Sequence, residues 1–237
     1  MKLKNITYTL IAQTLFFSPL MFGAAPAAAP KRSLKDYKFK GAVVLPITAI
    51  TKIDPQTKAS QEVKYFLLGR ERHKKTWNAF GGDRDPQENH PEMTAGRELY
   101  EETAGALFTS PDDTIKYINI DKGHTQAIIA HRGGVNYITA ISKDKSKKFV
   151  KEFYPALKKA KSKHMREMDA IALVREDKLQ SALAQGKLEV DATIIGENGK
   201  NMKETINLRP FFVKVMQPYF VGKKGTLGKN SKIIFYD

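Results

Sequence analysis

Three carboxylates, Glu98, Glu101 and Glu102, crowd the short run RELYEE, with the guanidinium of Arg97 directly before them. With about 3.6 residues per turn, a helix projects all three from one narrow stripe. The same spacing sets Arg97 four residues ahead of Glu101, close enough to pair with it. Like charges packed this way cost stability unless something positive sits among them. Oxygen-only ligands suit hard cations such as Mg²⁺ or Mn²⁺. The plainer reading of a bare acidic stripe is a solvated helix face, so the flanking chain has to decide.

The flanks predict a helix over 91–104: Pro91 suits its first position, Glu92 favours the N-terminal dipole, and Gly105 supplies the stop. Ahead of it lie a loop rich in proline and acids and the pair Gly81-Gly82, read as a tight turn. Strands are expected at 41–50 and 62–72, joined as a hairpin through DPQTK (54–58), with a short strand over 74–80 leading into the glycines. Downstream, 114–120, 125–131 and 135–142 read as three more strands. Residues 147–160 read as an amphipathic helix that Pro155 breaks or starts. A short apolar strand at 168–174, a helix over 175–186, a hairpin about Glu197-Asn198-Gly199 and a helix over 209–220 complete the chain. Without repeats or an evident linker, this pattern describes one mixed α/β domain over 41–237, preceded by a basic lead-in at 28–40.

The segment resembles the Nudix box, GX5EX7REUXEEXGU with U aliphatic. Gly82 and Glu88 match GX5E, and Arg97, Glu98, Leu99, Glu101 and Glu102 match REUXEE. Two departures stand out. Eight residues separate Glu88 from Arg97, the additional one falling near Asn89 ahead of Pro91, and Ala104 holds the late glycine position with Gly105 one step on. The second departure implies a helix one residue longer before its glycine. The order of elements over 40–186 is also similar to a Nudix fold, so the resemblance implies an α+β domain, an α/β/α sandwich with a mixed central sheet.

The resemblance further implies hydrolysis of a nucleoside diphosphate linked to another moiety, with water attacking a pyrophosphate phosphorus and Mg²⁺ or Mn²⁺ as cofactor. By match to the motif, Glu98, Glu101 and Glu102 are the metal ligands, the Gly81 carbonyl is an extra ligand, Arg97 orients Glu101 and holds the loop, and Glu88 assists through water. Relatives draw the general base from different places. Glu98 and Glu167 are the two candidates here, and an ordinary surface carboxylate is the rival reading for Glu167.

The whole chain carries a net charge of +15 over 237 residues and contains no cysteine, so no disulfide supports the fold. Lys2 and Lys4, the uncharged apolar run from Ile6 to Phe22 and the small residues after it read as a signal peptide over 1–27, cut after Ala25-Pro26-Ala27. The expected destination is the periplasm or the exterior. An uncleaved anchor is the rival, although polar residues dilute the run, and no later segment suggests membrane insertion. The positive field attracts polyanions of every kind: nucleotides, RNA, inositol phosphates and anionic surfaces.

Residues 143–166 concentrate that charge, with nine lysines and one arginine against two acids. They read as a basic helical insertion that either overhangs the site or simply coats a helix buried through Phe149 and Phe153. Trp77, Tyr65, Phe80 and Tyr137 sit at strand positions, where core packing is the usual role and base stacking the alternative. His73, His90, His124, His131 and His164 show no zinc spacing, and Gly133-Gly134 reads as a turn. Three functions therefore compete: an exported Nudix-type pyrophosphohydrolase acting on an ADP-ribose-like, nucleotide-sugar-like or dinucleoside polyphosphate substrate, an exported RNA- or polyanion-binding protein without turnover, and a protein exported for its surface.

Overall fold

Strand-forming runs rich in β-branched and aromatic residues give β1 (Gly41–Ile53) and β2 (Ser60–Glu71), paired antiparallel with Ile47 opposite Phe66. In the computed structural model, residues 38–53, 56–122, 124–129 and 133–220 are described, and all belong to one compact unit. The predicted signal peptide, the lead-in up to residue 37, His131 and the Asp54-Pro55 start of the predicted turn lie outside the described residues.

The short strand expected over 74–80 divides in two. β3 (Trp77–Asn78) pairs with β2, and β4 (Phe80–Asp83) pairs with β1, placing Gly81 opposite Val43. Gly81-Gly82 is thus strand and not the tight turn expected. The reason is space: a Cβ on Gly81 would lie 2.3 Å from the Ala42 carbonyl oxygen, so glycine permits the strands to approach.

The helix α1 (Pro91–Glu102) follows, and α2 (Pro111–Ile118) replaces the first of the three downstream strands. The β-branched residues of TIKYINI suggested a strand, but the Ser110 hydroxyl accepts from the Asp113 amide at 3.1 Å, Pro111 opens the turn, and Asp112 and Asp113 complement the dipole. Capping overrides the propensity of a short segment. The chain continues through β5 (Thr125–Ile129), β6 (Gly134–Ile141), α3 (Lys143–Lys159), β7 (Met168–Arg175), α4 (Glu176–Ala184), β8 (Glu189–Ile195), β9 (Asn201–Asn207) and α5 (Pro210–Phe220). In α3, Ser142 caps the start and Pro155 lies inside, neither breaking nor starting the helix.

Among the described residues, nine strands form one sheet with the path β5-β6-β1-β2-β7-β8-β9, parallel at β1/β6 and otherwise antiparallel, with β3 and β4 attached to β2 and β1. Alternate strand residues face opposite layers. Leu45, Ile47, Phe66 and Leu68 pack with Leu179 and Leu183 of α4 and Phe212 and Met216 of α5. Val44, Tyr65 and Leu67 pack with Ala95 and Leu99 of α1 and Phe149 and Phe153 of α3. The fold is α+β, a mixed sheet between two helical layers, and α3 belongs to one of those layers. Among the described residues, no helix is long and apolar enough to cross a membrane.

The end of α1 also differs from expectation. The helix stops at Glu102 with Thr103 as its cap, and Ala104 itself takes the left-handed conformation, φ 53°. Its amide donates to the Glu101 carbonyl at 2.9 Å, and the Gly105 amide to that of Tyr100 at 2.8 Å, a Schellman closure with alanine at the glycine position. The left-handed backbone costs an L-residue about 1–2 kcal/mol, against about 0.8 kcal/mol for the buried methyl. Ala104→Gly should therefore stabilise the protein by on the order of 0.5 kcal/mol, read as a midpoint shift in denaturant. A lower midpoint would show that the methyl contact outweighs the strain.

Candidate active site

Arg97 is the hub of the acidic helix. Its Nε donates to Glu88 Oε1 at 2.9 Å, its first Nη to Glu98 Oε1 at 2.8 Å and Glu101 Oε2 at 3.2 Å, and its second Nη to the Asp83 carbonyl at 3.0 Å. Burial opposes its charge, but Glu88 and Glu98 more than restore it, so the guanidinium is held above its ordinary pKa. The predicted Arg97–Glu101 pair is present.

Glu88 is 4% exposed. Its Oε2 also accepts from the Asp85 amide at 2.9 Å and the Thr94 hydroxyl at 2.5 Å. Burial pushes this carboxyl up, yet the hydrogen bonds from Arg97, Thr94 and Asp85 outweigh it and leave it below the usual carboxylate range. Its oxygens are spent clasping the loop to the helix.

Glu102 and Glu98 stand differently. Glu102, 6% exposed, accepts from the Gly81 amide at 2.6 Å. Burial pushes its carboxyl well up, and the charges of Glu98, Glu167 and Glu71 push it further. Among the described residues, no cationic side chain forms an ion pair with it. Glu98 is raised by burial to about 7 despite Arg97, with Glu101 and Glu167 adding to the rise. Its carboxylate lies against the backbone of β4: a Cβ on Gly82 would sit 2.5 Å from Glu98 Oε1.

These groups border two adjoining clefts. One, of about 580 Å³, has Gly81, Glu102, Glu71 and Glu167 in its lining, with Arg72, His73, Lys74, Lys163, His164 and Arg166 exposed around it. The other, of about 610 Å³, shares Gly81, His164, Glu167 and Arg209 with the first and extends past Gly82, Arg97 and Glu98 to α5. Glu167 is half-exposed, with one oxygen 3.0 Å from His164 Nδ1. Of the basic segment 143–166, the end alone borders this cleft pair, through Lys163, His164 and Arg166. Phe149 and Phe153 bury α3 in the helical layer, and Lys145 lies over the rings of Phe108 and Tyr117.

Structure thus brings Gly81, Glu98, Glu102 and Glu167 to one place, while Glu101 is tied to Arg97 and Glu88 is engaged in the loop. Among the described residues, no three acidic or imidazole groups stand in ready-made ligating geometry. Trp77, Tyr65, Phe80 and Tyr137 are all core residues. Two contributors were not expected: Glu71, whose Oε1 accepts from Arg209 at 2.6 Å and Asn78 at 3.3 Å, and Arg209 itself. Locally they read as a charged strand end and the residue before a helical proline. Comparison with protein-family models and with curated proteins gives no match for this chain.

The donor set fits a hard divalent cation, since buried carboxylates without a cationic partner at Glu102 are what such an ion compensates. A stability test follows. The unfolded Glu98 ionises near 4.5 and the folded one near 7, so over that interval unfolding releases a proton and rising pH weakens the fold. In chelator, stability should fall as pH rises from 4.5 to 7, by on the order of 3 kcal/mol from Glu98, with Glu102, raised by the same burial, adding to the decline. Glu98→Gln should make the decline shallower and saturating Mg²⁺ should flatten it in thermal melts; stability rising through this window would contradict the assignment.

Proposed function

We propose that this protein is an exported, Mg²⁺- or Mn²⁺-dependent hydrolase of the Nudix type. Its substrate is a nucleoside diphosphate linked to another moiety, such as ADP-ribose, a nucleotide sugar or a dinucleoside polyphosphate. The observation that carries the reading is a pair of buried carboxylates gathered at Gly81-Gly82 beside a cleft with an exposed basic rim: Glu102, which no cationic side chain pairs among the described residues, and Glu98, held above the usual carboxylate range despite Arg97. The Nudix-box resemblance supports the reaction, and the N-terminal sequence supports export.

Glu98 and Glu102, with the Gly81 carbonyl, would hold the cation; when bound, it neutralises charge developing on the phosphate oxygens and lowers the pKa of water. Arg97 fixes the rotamer of Glu98 and keeps Glu101 close by. Arg72, Lys74, Lys163 and Arg166 attract and orient the outer phosphates. Water attacks one phosphorus as the bridging P–O bond breaks, giving two phosphate-ended products. Glu167, half-exposed on both clefts and oriented by His164, is the better placed group to take the proton; Glu98 is committed to Arg97.

Incubation with a panel of these diphosphates, with Mg²⁺, with Mn²⁺ and with chelator, should release phosphate-ended products only when metal is present. No turnover of any member, together with tight RNA binding that weakens steeply with salt, would instead support a polyanion-binding protein.

A further inference from the structure

The α5 side of the second cleft carries none of the chemistry above, yet it is built differently from the basic rim. Phe211, Phe212, Val215 and Met216 supply an apolar wall, and Phe211 is 58% exposed at the start of the helix. The Arg209 guanidinium lies 5.7 Å from the Phe211 ring centroid while bonding Glu71, which ties this wall to the acidic cleft. In the sheet beneath, Asn136 lines the same cleft at 3% exposure, and its side-chain nitrogen is buried with no hydrogen-bond partner. A buried amide donor left unpaired costs roughly 1–3 kcal/mol. Such a group in the same cleft as an exposed aromatic calls for a ligand that is flat, apolar on its faces and an acceptor on its edge.

The sheet register gives the distance to the reacting centre. Val43 of β1 is paired with Gly81 on one side and Asn136 on the other, so those two positions lie two strand spacings apart, roughly 10 Å. A ribose with its base spans that gap. We infer that the nucleobase of the substrate lies against Phe211 with an edge acceptor toward Asn136, the diphosphate reaching back over Gly81-Gly82. The substrate is then a nucleotide and not a phosphorylated sugar or inositol. The placement of the phosphates rests on the hydrolase reading; base binding does not require turnover.

Equilibrium binding to the full chain in chelator tests this, using the four common nucleoside monophosphates against ribose 5-phosphate. At least one nucleotide should bind tenfold or more tightly than ribose 5-phosphate. Phe211→Ala, a change at an exposed site, should remove most of that preference, as should Asn136→Leu, and neither should alter binding of ribose 5-phosphate. Equal binding, no detectable nucleotide binding, or a preference unchanged in Phe211→Ala would overturn the inference. Turnover of the diphosphate panel without base preference leaves the hydrolase standing and removes the base site. Base preference without turnover does the reverse.

Discussion

Glu102→Gln should abolish metal-dependent turnover, on the order of a thousandfold or more, while leaving the fold intact and the metal-free protein more stable at neutral pH. The activity loss follows from removing the most buried oxygen ligand of the candidate centre, because a Lewis acid contributes several kcal/mol and each 1.36 kcal/mol is about tenfold in rate. The stability gain has a separate cause. Glu102 is buried beside Glu98, Glu167 and Glu71, with the Gly81 amide at 2.6 Å to offset its charge, and glutamine keeps an oxygen for that amide without the charge. Melting in chelator should therefore shift upward by a few degrees, and the stabilisation by Mg²⁺ expected of the parent should be absent. Full activity in this variant would remove Glu102 from the reaction. A large drop in melting temperature would mean that the carboxylate is structural.

Arg97→Met should have the largest effect on stability. Methionine fills similar volume but leaves Glu88 buried with the Asp85 amide and Thr94 hydroxyl alone, frees Glu101, and strips Glu98 of its cation. Breaking a buried pair from one side costs about 3–5 kcal/mol, on the order of 10 °C in melting temperature for a chain of this size. Adding Glu88→Gln should recover part of the loss, since it removes the charge left unpaired; the double-mutant cycle reads the coupling directly. A melting temperature within a degree of the parent would show that the clasp between loop and helix contributes nothing. Arg97→Lys should fall between the two, because an ammonium cannot reproduce the fork that reaches Glu88, Glu98 and Asp83 together.

Much of the acidic helix was legible because helical periodicity is local. Pro91 opens it, Arg97 meets Glu101 one turn on, and Glu98 and Glu102 share an edge, as their spacing requires. The strands at β1, β2, β7, β8 and β9 were readable from short apolar runs and the turn residues between them, and the last helix from the proline at its start. Where two local signals conflicted, composition misled: β-branched residues suggested a strand at 114–120, and Ser110-Pro111 capped a helix instead. Gly81-Gly82 looked like a turn, since nothing in the dipeptide announces that Ala42 and Glu98 will press against it.

The chain's own order of residues determined the cluster of carboxylates, its arginine and the positive charge around it. Tertiary structure alone decided how each of those carboxylates is held: Glu88 and Glu101 turn to Arg97, Glu98 lies between Arg97 and the backbone of Gly82, and Glu102 is buried at the Gly81 amide with no cationic side chain pairing it among the described residues. It also recruited Glu71, Arg209, Asn136 and Phe211 from distant segments to the same pair of clefts. A helix fixes neighbours three and four residues apart, but burial and strand register depend on partners far along the chain, and those set the pKa values and the walls of a site.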